Sequence, residues 1–184
     1  MRNPSAELFG VAGLAAASLW PAIVVAADYL SVDAAQAAIF PEADAFVAAV
    51  PALTVAQKRA IAAAAGPQPV HGSLRIWRAM RGSEAVGYVF VDEVIGRSDL
   101  ITYAVGIDHD GTLRTLEILA YRESHGGEVR NTAWRRQFAD RTRLDELEFR
   151  TDIKNIAGAT LSCEHVTQGV RWIVALWQTA LARG

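Results

Sequence analysis

The amino-acid sequence predicts an α+β fold, in which an antiparallel β-meander sheet is flanked by N-terminal helices and a long C-terminal helix. Three observations support this prediction. Between residues 74 and 121, short β-rich segments follow one another with turn sequences between them. Such turns join antiparallel strands, because a parallel crossover needs about a dozen residues or more. Alanine-rich segments with helix-start residues precede this region, and a segment with apolar residues at helical spacing follows it.

Three helices are expected before the sheet, each bounded by residues that are typical of helix ends. Proline disfavours helical backbone in the residue before it, and glycine commonly ends a helix. The high alanine content of these helices is explained by helix propensity and close packing. The expected helices are Val32–Ile39, which ends before Pro41; residues 42–50, which end before Pro51; and Val55–Ala65, which Thr54 caps and Gly66 closes.

Four strands are expected in the sheet, because apolar and β-branched residues recur between clusters of turn residues. The third and fourth strands are joined by Asp-His-Asp-Gly at residues 108–111, a typical hairpin turn. A short helix and then a long amphipathic helix follow the sheet. The expected strands are residues 74–80, 85–93, 100–107 and 112–121, and the helices are 131–138 and 162–183; the last has an apolar stripe of Val166, Val170, Ile173, Val174 and Trp177.

The N-terminal residues 1–27 are interpreted as a secretory signal peptide or a membrane anchor. Residues 8–27 contain no charge, follow Arg2 and end in Val-Ala-Ala, which is a small-residue cleavage pattern. An apolar stretch of this length could also span a bilayer uncleaved. A buried core helix is a third alternative, although no polar residue marks a solvent face. The first two interpretations predict that residues 28–184 form one domain in the periplasm, either exported or tethered to the inner membrane.

Composition argues against nucleic-acid and metal-binding functions. The formal net charge is -2, and the densest basic stretch, residues 130–143, is interrupted by acidic and aromatic residues. No basic stripe for a phosphate backbone is present, so no nucleic-acid partner is expected. Cys163 is the sole cysteine, which excludes an internal disulfide and a thiolate metal cluster. We expect Cys163 to be buried as a small apolar residue, and the spacing of the histidines suggests no metal site.

Residues 155–164, Asn-Ile-Ala-Gly-Ala-Thr-Leu-Ser-Cys-Glu, form a turn of small residues that leads into the C-terminal helix. Gly158 and Ala159 would let a ligand approach the backbone closely, and Ser162 is an expected N-cap. Free N–H groups at a helix start favour a phosphate beside them, so the pattern indicates an anion site that presents Thr160. A loop that only caps a helix would give the same pattern, and the residues alone leave both interpretations open.

This segment resembles the Ser-Gly-Ala-Thr motif of the FMN-binding domain family, which includes RnfG- and NqrC-type electron-transfer subunits and related periplasmic proteins. Gly158, Ala159 and Thr160 match the motif, and Leu161-Ser162 continues it as in family members. In that family a flavin transferase joins FMN to the motif threonine as a phosphoester. The resemblance therefore implies that this chain carries FMN covalently on Thr160.

A second part of the chain carries the same resemblance. Residues 119–128, Leu-Ala-Tyr-Arg-Glu-Ser-His-Gly-Gly-Glu, and 134–138, Trp-Arg-Arg-Gln-Phe, are similar to the family's glycine-containing loop and the helix after it. The resemblance implies that this loop lies beside the isoalloxazine ring, which needs an apolar slot and hydrogen-bond donors. For Trp134, core packing is an equal alternative. The expected cofactor-binding residues are Ala157, Gly158, Ala159, Thr160, Leu161, Ser162, Glu123, Ser124, Gly126, Gly127, Glu128 and Trp134.

The expected function is that of a periplasmic electron carrier or redox subunit with covalent FMN. Its expected partners are a flavin transferase for maturation and redox proteins at or near the inner membrane. Two alternatives stay open: a reductase that uses non-covalent FMN, and a cofactor-free binding or assembly module. The cofactor-free module is kept open because Ala157 stands where the family motif has serine, and Lys154 where it has an acidic residue.

Overall fold

The structure is a computed structural model that describes residues 27–67, 74–123 and 125–182. Nearly all of the expected signal or anchor segment, residues 1–26, lies outside the described residues. A 3-10 turn, Arg136–Phe138, follows the short helix Thr132–Arg135, and a π-helical turn, Trp177–Leu181, continues the C-terminal helix Thr160–Leu176. The elements are β1 (Ala27–Asp28), α1 (Val32–Ile39), β2 (Ala45–Ala48), α2 (Val55–Ala65), β3 (Arg75–Arg81), β4 (Glu84–Ile95), β5 (Leu100–Asp108), β6 (Leu113–Tyr121), α3 (Thr132–Arg135) and α4 (Thr160–Leu176).

The strands form one sheet in the order β1-β6-β5-β4-β3-β2, and each neighbouring pair is antiparallel. Strands β3 to β6 confirm the predicted meander, and the two short strands β1 and β2 extend it at its edges. The predicted α+β class is confirmed. Within the described residues, no helix combines the length and the apolar character needed to cross a bilayer.

The first two helices have the predicted bounds, and each begins at a residue whose side chain caps it. The Ser31 side chain accepts a hydrogen bond from the Ala34 backbone N–H at the start of α1. Thr54 and Gln57 form a reciprocal capping box at the start of α2. Capping is a local interaction between residues close in sequence, which is why the Thr54 cap was predictable.

The helix predicted over residues 42–50 is wrong, because Ala45–Ala48 forms strand β2. This segment pairs with the outer edge of β3, from Ala45 opposite Met80 to Ala48 opposite Trp77. The hydrogen bonds of the ladder satisfy backbone groups on the exposed edge of β3. Alanine propensity is worth only tenths of a kcal/mol per residue, so pairing with a distant strand overrides it.

The helices cover both faces of the sheet and create two apolar layers. On one face α1 packs with Phe40 against Val89, Val91 and Ala104. On the other face α2, α3 and α4 bury the larger cluster, which includes Ile61, Phe90, Tyr103, Leu116 and Trp134. The predicted apolar stripe of α4, from Val166 to Trp177, lies in this larger cluster and is confirmed as core. Cys163 is also buried there, as predicted.

Candidate functional site

Helix α4 begins at Thr160 without a side-chain cap. Its N-cap residue is Ala159, whose side chain makes no capping hydrogen bond, whereas α1 and α2 are capped by Ser31 and Thr54. The prediction that Ser162 caps this helix is wrong, since the helix begins two residues earlier and Ser162 lies inside its first turn. An uncapped first turn leaves backbone N–H groups and the positive end of the helix dipole available to an anion.

The turn before α4 depends on Gly158. Its φ is +87°, a left-handed conformation that side chains rarely adopt, and a Cβ built there would meet no atom within 4 Å. The Ala159 N–H donates to the Ile156 carbonyl at 3.0 Å and closes the turn. Glycine is therefore required here for backbone conformation, and the space beside it is open.

The Thr160 hydroxyl is held by a residue that sequence reasoning did not select. The Asn155 side-chain amide donates to Thr160 Oγ1 at 3.1 Å. Thr160 is half-buried, and Leu161 beside it is 43% exposed. Asn155 belongs to the motif segment, but nothing in its type or spacing pointed to this contact. The bond fixes the position of the hydroxyl oxygen while its own hydrogen remains able to donate.

The second wall of the site is the loop after β6. Gly126 has φ of +86° and Gly127 starts a 3-10 turn, with Glu128 exposed beside it. The loop meets α4 through Tyr121, whose hydroxyl donates to the His125 carbonyl and lies 3.1 Å from Ser162 Oγ. The two segments that were expected to hold the cofactor are therefore in direct contact. Ser124, which was also expected in the site, lies outside the described residues.

The third wall is the β4–β5 loop, residues 96–99. Glu123 Oε1 accepts hydrogen bonds from the backbone N–H groups of Ser98 and Asp99, the latter at 2.9 Å. Burial alone would raise the pKa of Glu123, but these hydrogen bonds and the nearby Arg97 charge hold the pKa below its ordinary value. Glu123 therefore connects the loop after β6 to the β4–β5 loop.

These walls enclose two adjoining clefts that share His125 and Gly158. One has a volume of about 690 Å³ and runs from the β4–β5 loop to Thr160, Leu161 and Ser162. The other, of about 710 Å³, runs along the loop 125–131. Volumes of this size are typical of sites for drug-sized ligands and cofactors. Arg97 supplies the sole Lys or Arg charge among the described residues that line the first cleft.

A comparison with protein families finds a similarity that covers this site. Residues 96–175 match the family model described as FMN-binding domain. This part of the chain is similar to the FMN-binding domain family. The matched range includes the β4–β5 loop, the loop after β6 and the start of α4, so it covers all three walls of the site. No curated protein matches the chain.

Trp134 is part of the core within the matched range. Its side chain is 4% exposed, packs edge-on against Phe138 with ring centroids 5.1 Å apart, and donates to the Lys154 carbonyl at 2.8 Å. Core packing, the alternative for this residue, is therefore what the structure shows. The hydrogen bond joins α3 to the segment that precedes the motif turn, so Trp134 helps to position that segment.

Acidic, histidine and cysteine side chains do not gather into a metal site in the described ranges 27–67, 74–123 and 125–182. Thr160 lies at a helix start with a cation, Arg97, lining the same cleft. Hydroxyl, backbone N–H and guanidinium groups are ligands suited to a phosphate. The residues around Thr160 thus fit a phosphate group such as that of FMN.

Proposed function

We propose that this protein is a periplasmic electron-transfer flavoprotein in which FMN is attached through its phosphate to Thr160. The observation that carries the proposal is the Thr160 hydroxyl, presented at the uncapped start of α4 within the matched FMN-binding domain. When bound, FMN supplies one- and two-electron transfer, while the protein supplies position and electrostatics.

The residues around Thr160 have separate tasks in this proposal. The first-turn N–H groups of α4 and the Arg97 guanidinium would neutralise the phosphodiester. The Asn155 amide, which donates to Thr160 Oγ1, would keep the ester oxygen in place. Gly126 and Gly127 would bring backbone groups close to the ring, and the exposed Leu161 would offer it an apolar surface.

Attachment requires an activated donor, because the phosphate monoester of FMN has no good leaving group for a hydroxyl to displace. The donor is therefore a flavin nucleotide whose phosphate is held in an anhydride bond, supplied with a flavin transferase. Thr160 Oγ1 forms the new O–P bond, the anhydride O–P bond breaks, and the displaced nucleotide leaves with the bonding electron pair. The hydroxyl proton passes to a base of the transferase or to water.

The cellular setting belongs to the same proposal. The uncharged segment at residues 8–27 supports export to the periplasm or a tether to the inner membrane. Redox proteins at or near that membrane would then exchange electrons with the flavin. Sequencing the mature N-terminus of the protein from a periplasmic extract tests this: a start near residue 28 supports export, and a cytoplasmic protein with an intact N-terminus contradicts it.

The decisive experiment is co-expression of the full chain with a flavin transferase, followed by intact-mass measurement and a denaturing gel viewed under ultraviolet light. We expect the wild type and Thr160→Ser to gain one FMN and to fluoresce in the gel, and Thr160→Ala to do neither. Thr151→Ala, which alters an exposed threonine before the motif, is the control and should load fully. Flavin that is lost on denaturation indicates a reductase with loose FMN. A colourless wild-type protein indicates a cofactor-free module.

A further inference from the structure

Tyr121 lies at the junction of the two loops that were expected to hold the cofactor. Its side chain is 4% exposed, as is that of Ser162, so its hydroxyl is shielded from water. The hydroxyl is within hydrogen-bonding distance of the His125 carbonyl and of Ser162 Oγ. One side chain at the end of β6 thus reaches both the loop that follows it and the first turn of α4.

The direction of both hydrogen bonds follows from the donors available. The His125 carbonyl can only accept, so the single hydroxyl hydrogen of Tyr121 must point at it. The Tyr121 oxygen can then only accept from Ser162, whose hydroxyl hydrogen is directed at Tyr121. Burial raises the pKa of Tyr121, which keeps its hydroxyl protonated and able to donate at neutral pH. We call these three groups, Tyr121 Oη, His125 O and Ser162 Oγ, the Tyr121 clasp.

A β-bulge directs Tyr121 to the correct face of the sheet. In the β5–β6 ladder Thr102 pairs with Ala120 and Tyr103 pairs with Ile118, so Leu119 has no partner on β5. Side chains alternate between the faces of a strand, and one extra residue reverses that alternation. Ile118 lies in the larger core cluster, on the face opposite α1, and without the bulge Tyr121 would face α1; with it, Tyr121 lies in the same cluster as Ile118.

The clasp leaves little space for movement of the loop. A Cβ built on Gly126 would lie 2.7 Å from the Tyr121 hydroxyl and 3.1 Å from the Ala159 Cβ. The loop backbone is therefore pressed against both Tyr121 and the residue before Thr160. Because His125 and Gly158 are shared by the two clefts, the clasp lies where the clefts join.

We propose that Tyr121 is a positioning residue for the flavin, whose hydroxyl fixes the loop 125–127 against the first turn of α4 and so sets the width of the cleft beside Thr160. This inference rests on the proposed function for its ligand. Tyr121 itself acts through the loop and through Ser162. Loss of the hydroxyl should leave the fold intact and allow the loop to move away from α4, so that the ring becomes more accessible to solvent.

Tyr121→Phe tests the inference, with Tyr103→Phe as the matched control. Tyr103 is also buried in the sheet, and its hydroxyl donates to Asp92 at 3.1 Å, away from both clefts. Each substitution removes one buried hydroxyl, so each lowers the thermal midpoint. We expect the amide hydrogen of Val129, which donates to the Gly126 carbonyl, to exchange about fivefold faster in Tyr121→Phe, the factor that corresponds to one net hydrogen bond, and not in Tyr103→Phe.

In the FMN-loaded proteins, we expect iodide to quench the flavin fluorescence more strongly in Tyr121→Phe than in the wild type or Tyr103→Phe. Ser162→Ala removes one arm of the clasp and should change exchange and quenching in the same direction, which provides a second variant if Tyr121→Phe folds poorly. Equal exchange and equal quenching in Tyr121→Phe and Tyr103→Phe would overturn the inference. If the wild type does not acquire FMN, the proposed function is wrong. The exchange measurement on the protein without FMN still tests whether the clasp holds the loop.

Discussion

The substitution Gly158→Ala tests two properties of Gly158: its left-handed backbone conformation and the open space beside it. Gly158 has φ of +87°, and a Cβ built there meets no atom within 4 Å. Gly82, in the β3–β4 turn, has φ of +59° and likewise meets no atom within 4 Å. Gly82 does not line either cleft. Gly82→Ala is therefore a matched control that introduces similar strain and leaves the site unchanged.

The expected loss of stability comes from backbone strain, because neither new methyl group clashes. Holding an L-residue in the left-handed region costs about 1–2 kcal/mol. We expect each variant to lose about that free energy of unfolding, which corresponds to a decrease in Tm of roughly 2–8 °C for a chain of this length. Urea titration followed by tryptophan fluorescence measures the free energy. A Gly158→Ala protein that unfolds at the wild-type urea concentration would refute the strain argument.

The two variants should differ in cofactor loading, because only Gly158→Ala adds a methyl group to the clefts. Gly158 lines both of them beside Thr160, so the methyl occupies space that the phosphate end of the flavin needs. At matched stability we expect Gly82→Ala to load FMN fully and Gly158→Ala to load markedly less, as measured by intact mass after co-expression with a flavin transferase. Full loading of Gly158→Ala would show that this space is not used.

Three further substitutions test other contacts of the fold and the site. A Cβ on Gly169 of α4 would overlap the Tyr103 hydroxyl, so Gly169→Ala should lower the free energy of unfolding by about 1–3 kcal/mol; the same cost in a Tyr103→Phe background would contradict this origin. Asn155→Ala removes the hydrogen bond to Thr160 Oγ1 and should slow FMN loading by about two- to tenfold in a single-turnover assay, and an unchanged rate would exclude a role for this amide. Because the pKa of Glu123 is held below its ordinary value of 4.5, its carboxylate stabilises the fold fully above that pH and loses this contribution as the pH falls through the lowered pKa. Urea titrations between about pH 3 and pH 7 should therefore show a smaller loss of stability on acidification in Glu123→Gln than in the wild type; parallel pH profiles would contradict the assignment.

The parts of the fold that were predicted correctly are those that local patterns specify. Helices α1 and α2 were located from residues within four positions of their ends, such as Pro41, Thr54 and Gly66. Strands β3 to β6 were located from alternation and turn chemistry, which also act over short distances. Strand β2 was missed because its sequence favours a helix, and the strand that it pairs with lies about thirty residues further along the chain.

The sequence predicted which segments form the site but not the contacts between them, because those contacts join residues that are distant in sequence. Thr160 and the glycines were recognisable from a motif, whereas the partners that position them are distant in sequence or of common types. Ser162 is the clearest case, since a serine near a helix start usually caps it. Its hydroxyl is instead bonded to Tyr121, which lies 41 residues earlier. No local pattern contains that pairing.

Sheet register explains why three separated segments meet beside Thr160. Ile95 pairs with Leu100 at the end of β4, and Ile101 pairs with Tyr121 at the end of β6. The β4–β5 loop and the loop after β6 therefore leave the sheet at the same end of the strands. Glu123 can therefore bond the first loop while Tyr121 bonds α4. The unpaired Leu119 makes both possible, since a strand without that extra residue would direct the Tyr121 hydroxyl toward α1. The geometry of the cleft thus depends on one extra residue, Leu119, which shifts the register of β6. No residue of β6 lines either cleft.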